Sequence, residues 1–308
     1  MAGPFVTELS GRGVVRVAGP EAAHFLHNLV TCDVEHLEDG AGGYGALLTP
    51  QGKIIVDFFV GRSGEAFLLD LPASHVAETV KRLTVYKLRS KATIEDVSAD
   101  TSVLVFLDLD AAPTLPGPAF PDPRLPALGL RAIVPSAVAK GTFGLSHIVR
   151  TDEGAYHRRR IAHGVPESGA DFALGEVFPH DVDMDQLNGV DFRKGCYVGQ
   201  EVVSRMQHRG TARRRMVIAE TEGELPAAGT ALSAAGRPVG TLGSGSGSRG
   251  LALVRLDRAI AAMEDGEAIL AVTIGTTVVF EIAGPVLTAV ALRTVGETGK
   301  AAKAPADG

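Results

Sequence analysis

The only two thiols of the chain, Cys32 and Cys196, sit in different chemical surroundings. Cys196 lies in Arg193-Lys194-Gly195-Cys196-Tyr197-Val198-Gly199-Gln200-Glu201, directly after two cationic residues. Val198, Val202, Val203 and Met206 then recur at helical spacing, which predicts a helix beginning just after the cysteine with Glu201 in its first turn. Neighbouring cations and a helix N-terminus both favour the thiolate, the form that attacks electrophiles and binds metals. Gly195 and Gly199 would let a ligand approach the backbone closely or supply positive φ. The other reading is a cysteine in a tight turn behaving as a small hydrophobe. Residue types alone leave both open. Cys32, at the end of an apolar run in Leu29-Val30-Thr31-Cys32-Asp33, reads as a packing residue.

Other apparent signatures fail on context. Gly40-Ala41-Gly42-Gly43-Tyr44-Gly45 fits G-x-G-x-x-G, but an acidic loop precedes it and a strand-like run follows, the reverse of a dinucleotide site. Gly245 to Gly250 fits the same pattern between two β segments and reads as a hairpin loop. Asp181, Asp183 and Asp185 resemble the opening of an EF-hand, yet Gln186 and Phe192 stand where glycine and glutamate are needed. The nine histidines show no zinc spacing, and two cysteines cannot build a thiolate cage, so no resident metal is expected. Arg158-Arg159-Arg160 and Arg213-Arg214-Arg215 read as solvated faces.

The elements that must position Cys196 follow from periodicity. A strand over Gly13 to Gly19 leads into a helix with apolar positions 22, 25, 26, 29 and 30. Strands are expected over Lys53 to Val60 and Phe67 to Leu71, then a helix from Ser74 to Leu88 with apolar positions 76, 80, 83 and 85. Ala92 to Val97 and Val103 to Leu109 read as further strands, and Tyr156 to Ile161 as part of a helix. Six prolines between residues 111 and 126 predict a surface connection without regular structure. After about residue 211 short β-prone runs separated by glycines predict a small antiparallel barrel. The expected organisation is an α+β region over 1–210, a C-terminal barrel over 211–295 and a disordered tail over 296–308. At 308 residues and net charge −6, with 45% hydrophobic and 21% charged residues, the chain carries no global attraction to polyanions. No direct nucleic-acid partner and no membrane are expected. The lack of a signal-peptide pattern makes the cytoplasm the expected compartment.

Lys194 to Glu201 resembles the K-G-C-Y-x-G-Q-E signature of the YgfZ family, whose mitochondrial relatives are iron–sulfur assembly factors. Supporting stretches run over most of the chain: Val14 to Gly19 with Phe25-Leu26 and Thr31-Cys32-Asp33, Leu48-Thr49-Pro50-Gln51-Gly52-Lys53, Arg160 to Pro166, and Arg205 with His208-Arg209-Gly210. The resemblance implies an α+β fold like that of the T-protein of the glycine cleavage system, an aminomethyltransferase. That fold places subdomains around a channel for tetrahydrofolate or another reduced folate. It implies Cys196 as the functional thiol, supported by Lys194. It implies Asp57, Tyr197, Gly199, Gln200, Glu201, Arg205 and Arg209 as folate contacts. As partners it implies iron–sulfur assembly or client proteins, and indirect support of tRNA modification. Two departures from the T-protein stand out. Val56-Asp57 keeps one of its paired aspartates, and its pterin-recognising glutamate falls near Ala162. Both losses weigh against aminomethyl transfer. A folate-dependent one-carbon transferase and a non-catalytic scaffold remain the alternatives.

Overall fold

The computed structural model describes residues 3–109, 113–141, 148–210, 212–273 and 276–282. In chain order the first part holds β1 (Phe5–Glu8), β2 (Arg12–Ala18), α1 (Ala22–His27), β3 (Gly42–Leu48), β4 (Ile54–Ser63), β5 (Ala66–Pro72), α2 (Val76–Lys87), β6 (Thr93–Asp96) and β7 (Thr101–Leu107). It continues with β8 (Ala119–Pro121), β9 (Leu130–Pro135), α3 (Ser136–Lys140), β10 (Val149–Arg150) and α4 (Gly154–Ala162). Then come α5 (Gln200–Arg209), β11 (Arg214–Glu220), β12 (Ala231–Ala234), β13 (Arg237–Ser246), β14 (Arg249–Arg255), α6 (Leu256–Glu264), β15 (Ile269–Thr273) and β16 (Thr276–Ile282). Two compact units interleave: 1–159 with 187–200, and 160–186 with 201 onward. The tail expected over 296–308 lies outside the described residues.

The first unit contains two five-stranded sheets, ordered β3-β4-β5-β2-β6 and β10-β1-β7-β9-β8. Period-2 alternation divides each strand between two layers. Val56, Phe58 and Val60 of β4 join Val15, Val17, Leu69 and Leu71 in a core with Phe25 and Leu26 of α1 and Leu83 of α2. The intervening residues Asp57 and Phe59, with Tyr44 of β3 and Asp70 of β5, lie on the opposite face, which carries a buried polar network. Arg12 donates through Nε to Asp70 Oδ1 at 2.6 Å, and Arg131 of β9 donates to Asp70 Oδ2 at 2.6 Å. Arg131 and Arg124 both donate to the Tyr156 hydroxyl, at 3.1 and 2.7 Å, and Arg124 pairs with Asp122 at 2.8 Å. The Arg131 and Arg124 guanidinium carbons lie 3.7 and 4.6 Å from the Phe59 ring centroid, a cation–π arrangement inside the unit. The Arg131–Asp70 pair therefore fastens one sheet to the other.

Several expectations need correcting. The proline-rich connection is neither irregular throughout nor a surface feature. Pro118, Phe120, Asp122 and Arg124 alternate as buried residues, and β8 pairs with β9. Prolines are tolerated there because β8 is a sheet edge, where a missing N–H costs no ladder bond. The first helix ends at His27, so Leu29 and Val30 lie beyond it, and Val30 instead bridges Leu47. Val85 of α2 is 63% exposed rather than part of the core.

The second unit contains a closed antiparallel barrel, β11-β14-β13-β12-β15-β16, around Val217, Leu232, Val239, Leu242, Ala252 and Val254. The two arginine runs are not solvated throughout. Arg160 is 1% exposed and donates to Asp171 at 2.6 Å. Arg214 pairs with Asp181 at 2.6 Å, and Arg215 with Asp185 at 2.5 Å and Asp183 at 3.2 Å. These contacts absorb the acidic triplet that mimics a calcium loop. Asp183 adopts φ +60° and is buried, its Oδ2 lacking a hydrogen-bond partner.

Burial pushes the Asp183 carboxyl from the ordinary 3.8 up to about 8, with Arg215 opposing and Asp185 reinforcing the rise. The folded chain thus holds a proton that the unfolded chain releases above about pH 4. That contribution to stability is complete below pH 3.8 and is lost as pH rises through about 8. Asp183→Asn, which keeps the neutral shape, is expected to flatten the decline of the urea midpoint between pH 5 and 8. Parallel curves for both proteins would show that Asp183 is ionised in the folded state.

Candidate functional site

Residues 188–200 are held to the first unit by contacts that explain why these residue types are used. Thr31 Oγ1 donates to the Gly189 carbonyl at 2.6 Å and accepts from Ala46 N at 2.8 Å, while Asp191 N donates to Thr31 O. Asp191 Oδ1 then caps the next turn, accepting from Arg193 N at 2.7 Å and Lys194 N at 3.3 Å.

Lys194 makes the central attachment. Its ammonium donates to the carbonyls of His27, Val30 and Cys32 at 2.6, 2.7 and 2.7 Å. These acceptors belong to the last residue of α1 and to two residues of the chain that follows it, so all three N–H groups of the lysine find partners. Burial lowers the Lys194 pKa, opposed by Cys32, Asp33 and Asp191. The Tyr197 ring lies 5.5 Å from Lys194 Nζ. Its hydroxyl is buried without a partner, and burial with Asp191 nearby raises it to about 12.

Gly199 has a structural reason to be glycine. Its φ is +82°, and a Cβ there would stand 2.6 Å from Thr49 O and 3.1 Å from Gly52 Cα. The signature segment thereby packs directly on the Thr49-Pro50-Gln51-Gly52 turn. Between these attachments Cys196 is exposed, and a Cβ on neighbouring Gly195 would meet nothing within 4 Å. The result is an accessible thiol on a fixed tip. Cys32 is buried, and burial raises its thiol to about 12.

Two sequence-based expectations about this segment change. Lys194 does not bring its charge to Cys196, because the ammonium is spent on the carbonyls of His27, Val30 and Cys32. The helix starts at Gln200 rather than near Val198, four residues past the thiol, with Glu201 still in its first turn.

The same segment borders a cavity of about 540 Å³, lined by Cys32, Asp33, Gly43, Tyr44, Asn188, Asp191, Phe192 and Arg193 among others. Cavities of this size hold small organic ligands. Behind Tyr44 sits Asp57, 5% exposed, whose Oδ2 accepts from the Tyr44 hydroxyl at 3.1 Å. Asp57 Oδ1 is buried and has no hydrogen-bond partner. A buried acceptor oxygen left in this condition is costly, and a ligand N–H is the natural complement. Burial, and next Asp57, raise the Tyr44 pKa, keeping the phenol a donor.

Lys194, Cys196, Tyr197, Gly199, Gln200 and Asp57 thus belong to the first unit. Gln200 Nε2 reaches the Gly195 carbonyl at 3.4 Å. Glu201, Arg205 and Arg209 fall in the second unit on the exposed face of α5, where Glu201 and Arg205 approach to 3.7 Å. Sequence reasoning did not single out Tyr44, Asn188 or Phe192 as site residues. Tyr44 carried a signal, being an aromatic residue set among strand glycines, although its ring is buried against Phe59 and the Arg124 guanidinium. Among the described residues no group of three or more His, Cys, Asp or Glu is placed to hold a metal ion. No described helix is long and apolar enough to cross a membrane.

Comparison with known proteins agrees with this architecture. Residues 4–107 match the GCVT N-terminal domain, and residues 213–284 match the CAF17 C-terminal beta-barrel domain. The glycine cleavage system aminomethyltransferase T from Bartonella henselae superposes with a TM-score of 0.73 at 18% identity, over 92% of this chain and 86% of that one. The fold is therefore that of the glycine cleavage T-protein. The mitochondrial iron–sulfur cluster assembly factor IBA57 homolog of Neurospora crassa is 33% identical over 72% of this chain, which covers 55% of that protein. The first fungal relatives are matched over only about half their length. Mus musculus IBA57, also mitochondrial, is 31% identical over 80% of this chain and 76% of its own. The mitochondrial setting of these relatives overturns the expected cytoplasmic location. By its identity to IBA57 over most of both chains, this chain belongs to the IBA57 family of iron–sulfur cluster assembly factors.

Proposed function

We propose that the chain is a folate-binding accessory protein for the assembly or maintenance of iron–sulfur enzymes, of the YgfZ kind within this fold. It would present the Cys196 thiol to a partner protein and so support tRNA-modifying iron–sulfur enzymes indirectly. One observation carries the reading: a single segment lines the cavity with Asn188, Asp191, Phe192 and Arg193, and displays Cys196 three residues later. The relatives' role in iron–sulfur cluster assembly supports the choice of partners.

The residues present fit a reduced folate. Tyr44 stands at the cavity wall with its hydroxyl on Asp57, and the unpartnered Asp57 Oδ1 behind it is the acceptor that a pterin N–H would take. Bound tetrahydrofolate would supply one-carbon chemistry, while this chain's side chains bind and orient it. Aminomethyl transfer is not part of the proposal. Val56, in place of a second aspartate, is buried in the apolar core, and Ala162 carries no charge. Calorimetric titration with tetrahydrofolate is expected to give saturable binding, weakened about tenfold or more by Asp57→Ala through loss of a charge-assisted hydrogen bond. No binding by the wild type, or equal binding by the variant, would remove folate from the proposal.

A further inference from the structure

Residues 81–91, Lys-Arg-Leu-Thr-Val-Tyr-Lys-Leu-Arg-Ser-Lys, hold five cations and no carboxylate in a chain of net charge −6. They form the outer half of α2 and its exit. Leu83 points into the core, but Val85 and Leu88 are 63% and 86% exposed. Leu88 ends the helix at φ +46°, a conformation rare for a bulky side chain, and so stands clear of the surface. A hollow of about 380 Å³ runs along this face, lined by Glu78, Lys81, Arg82, Val85 and Tyr86. Arg82 is steadied there by Glu78 at 2.8 Å.

We propose that the outer face of α2 is a docking site for an acidic protein segment carrying apolar anchors. The hollow accepts a protruding side chain, Val85 and Leu88 supply apolar area, and Lys81, Lys87, Arg89 and Lys91 give this end of α2 and its exit an excess of positive charge, Glu78 being engaged by Arg82. The charge complement of that excess is a segment rich in Asp and Glu. A lipid surface fits less well. The apolar feature is a hollow rather than a protrusion, and Val85 and Leu88 offer too little area for insertion. A nucleic acid would use the cations but leave Val85 and Leu88 uncovered. The proposal is independent of folate and of Cys196.

The test uses the full chain and a fluorescein-labelled synthetic helical peptide rich in glutamate, with two leucines spaced four residues apart. Fluorescence anisotropy is expected to show binding that weakens with added salt. Either V85S/L88S or K81E/R89E is expected to weaken it about tenfold or more, as truncating anchors does in other interfaces. Folate binding by both variants should remain that of the wild type. The proposal is overturned if the peptide does not bind or if its leucine-to-serine version binds equally. It is overturned equally if both protein variants bind like the wild type. Binding of vesicles containing phosphatidylserine, or of a single-stranded RNA, without binding of the peptide would assign the face to that other class and overturn it too.

Discussion

Asp70→Asn is expected to destabilise the first unit by about 3–5 kcal/mol, the usual cost of removing one partner from a buried ion pair. Asp70 is fully buried and receives Arg12 and Arg131 at 2.6 Å each, with side chains only 6% and 1% exposed. Asparagine keeps the volume but removes the charge, leaving two guanidinium groups inside a sheet-to-sheet layer. Arg124 adds a third cation, matched by Asp122. Thermal denaturation should register a fall of Tm of about 10 °C. A loss below about 1 kcal/mol would mean that water reaches the network and screens it, as at an exposed pair.

Lys194→Met ranks second, with an expected loss of about 2–4 kcal/mol from three charge-assisted hydrogen bonds and three backbone carbonyls left unpaired. Methionine keeps the apolar stem, so the effect isolates the ammonium. Arginine is no substitute, because its planar fork cannot meet three carbonyls that surround a point donor. The loosening should be local as well as global. Hydrogen exchange of the amides over 193–197 should accelerate more than that of β4, whose ladder is untouched. Unchanged protection in the segment would show that Asp191 and Gly199 hold it without the lysine.

The strands and helices of the first unit are legible because they bury one side each, and burial imposes period 2 or 3.6 on the residue pattern. The fold class followed from the signature segment and the motifs that accompany it. What could not be read is what depends on distant chain. Lys194 resembled an activator of its neighbour Cys196 by spacing, but its acceptors lie more than 160 positions away. The aspartates that engage Arg214 and Arg215 lie about thirty positions before them, so the run looked solvated. The proline-rich connection misled because proline frequency bars a central strand, not an edge strand. Asp57 was recognisable as the odd polar residue in an apolar strand. Its burial beside Tyr44 required the β3–β4 pairing, in which Ala46 faces Asp57 and Tyr44 faces Phe59. Glycine at 199 admitted a ligand contact from sequence; a positive φ against the Thr49–Gly52 turn supplies a sufficient reason by itself.

The most direct test of the proposed function is complementation of a strain lacking this protein, scored by the activity of its iron–sulfur enzymes. Cys196→Ser exchanges sulfur for oxygen at an exposed position, so it is expected to fold and to bind tetrahydrofolate like the wild type. It is nevertheless expected to leave iron–sulfur enzyme activity at the level of the deletion, whereas Cys32→Ala, which removes one buried sulfur at the cavity wall and no charge, should restore most of it. Full restoration by Cys196→Ser would contradict the assignment of Cys196 as the working thiol.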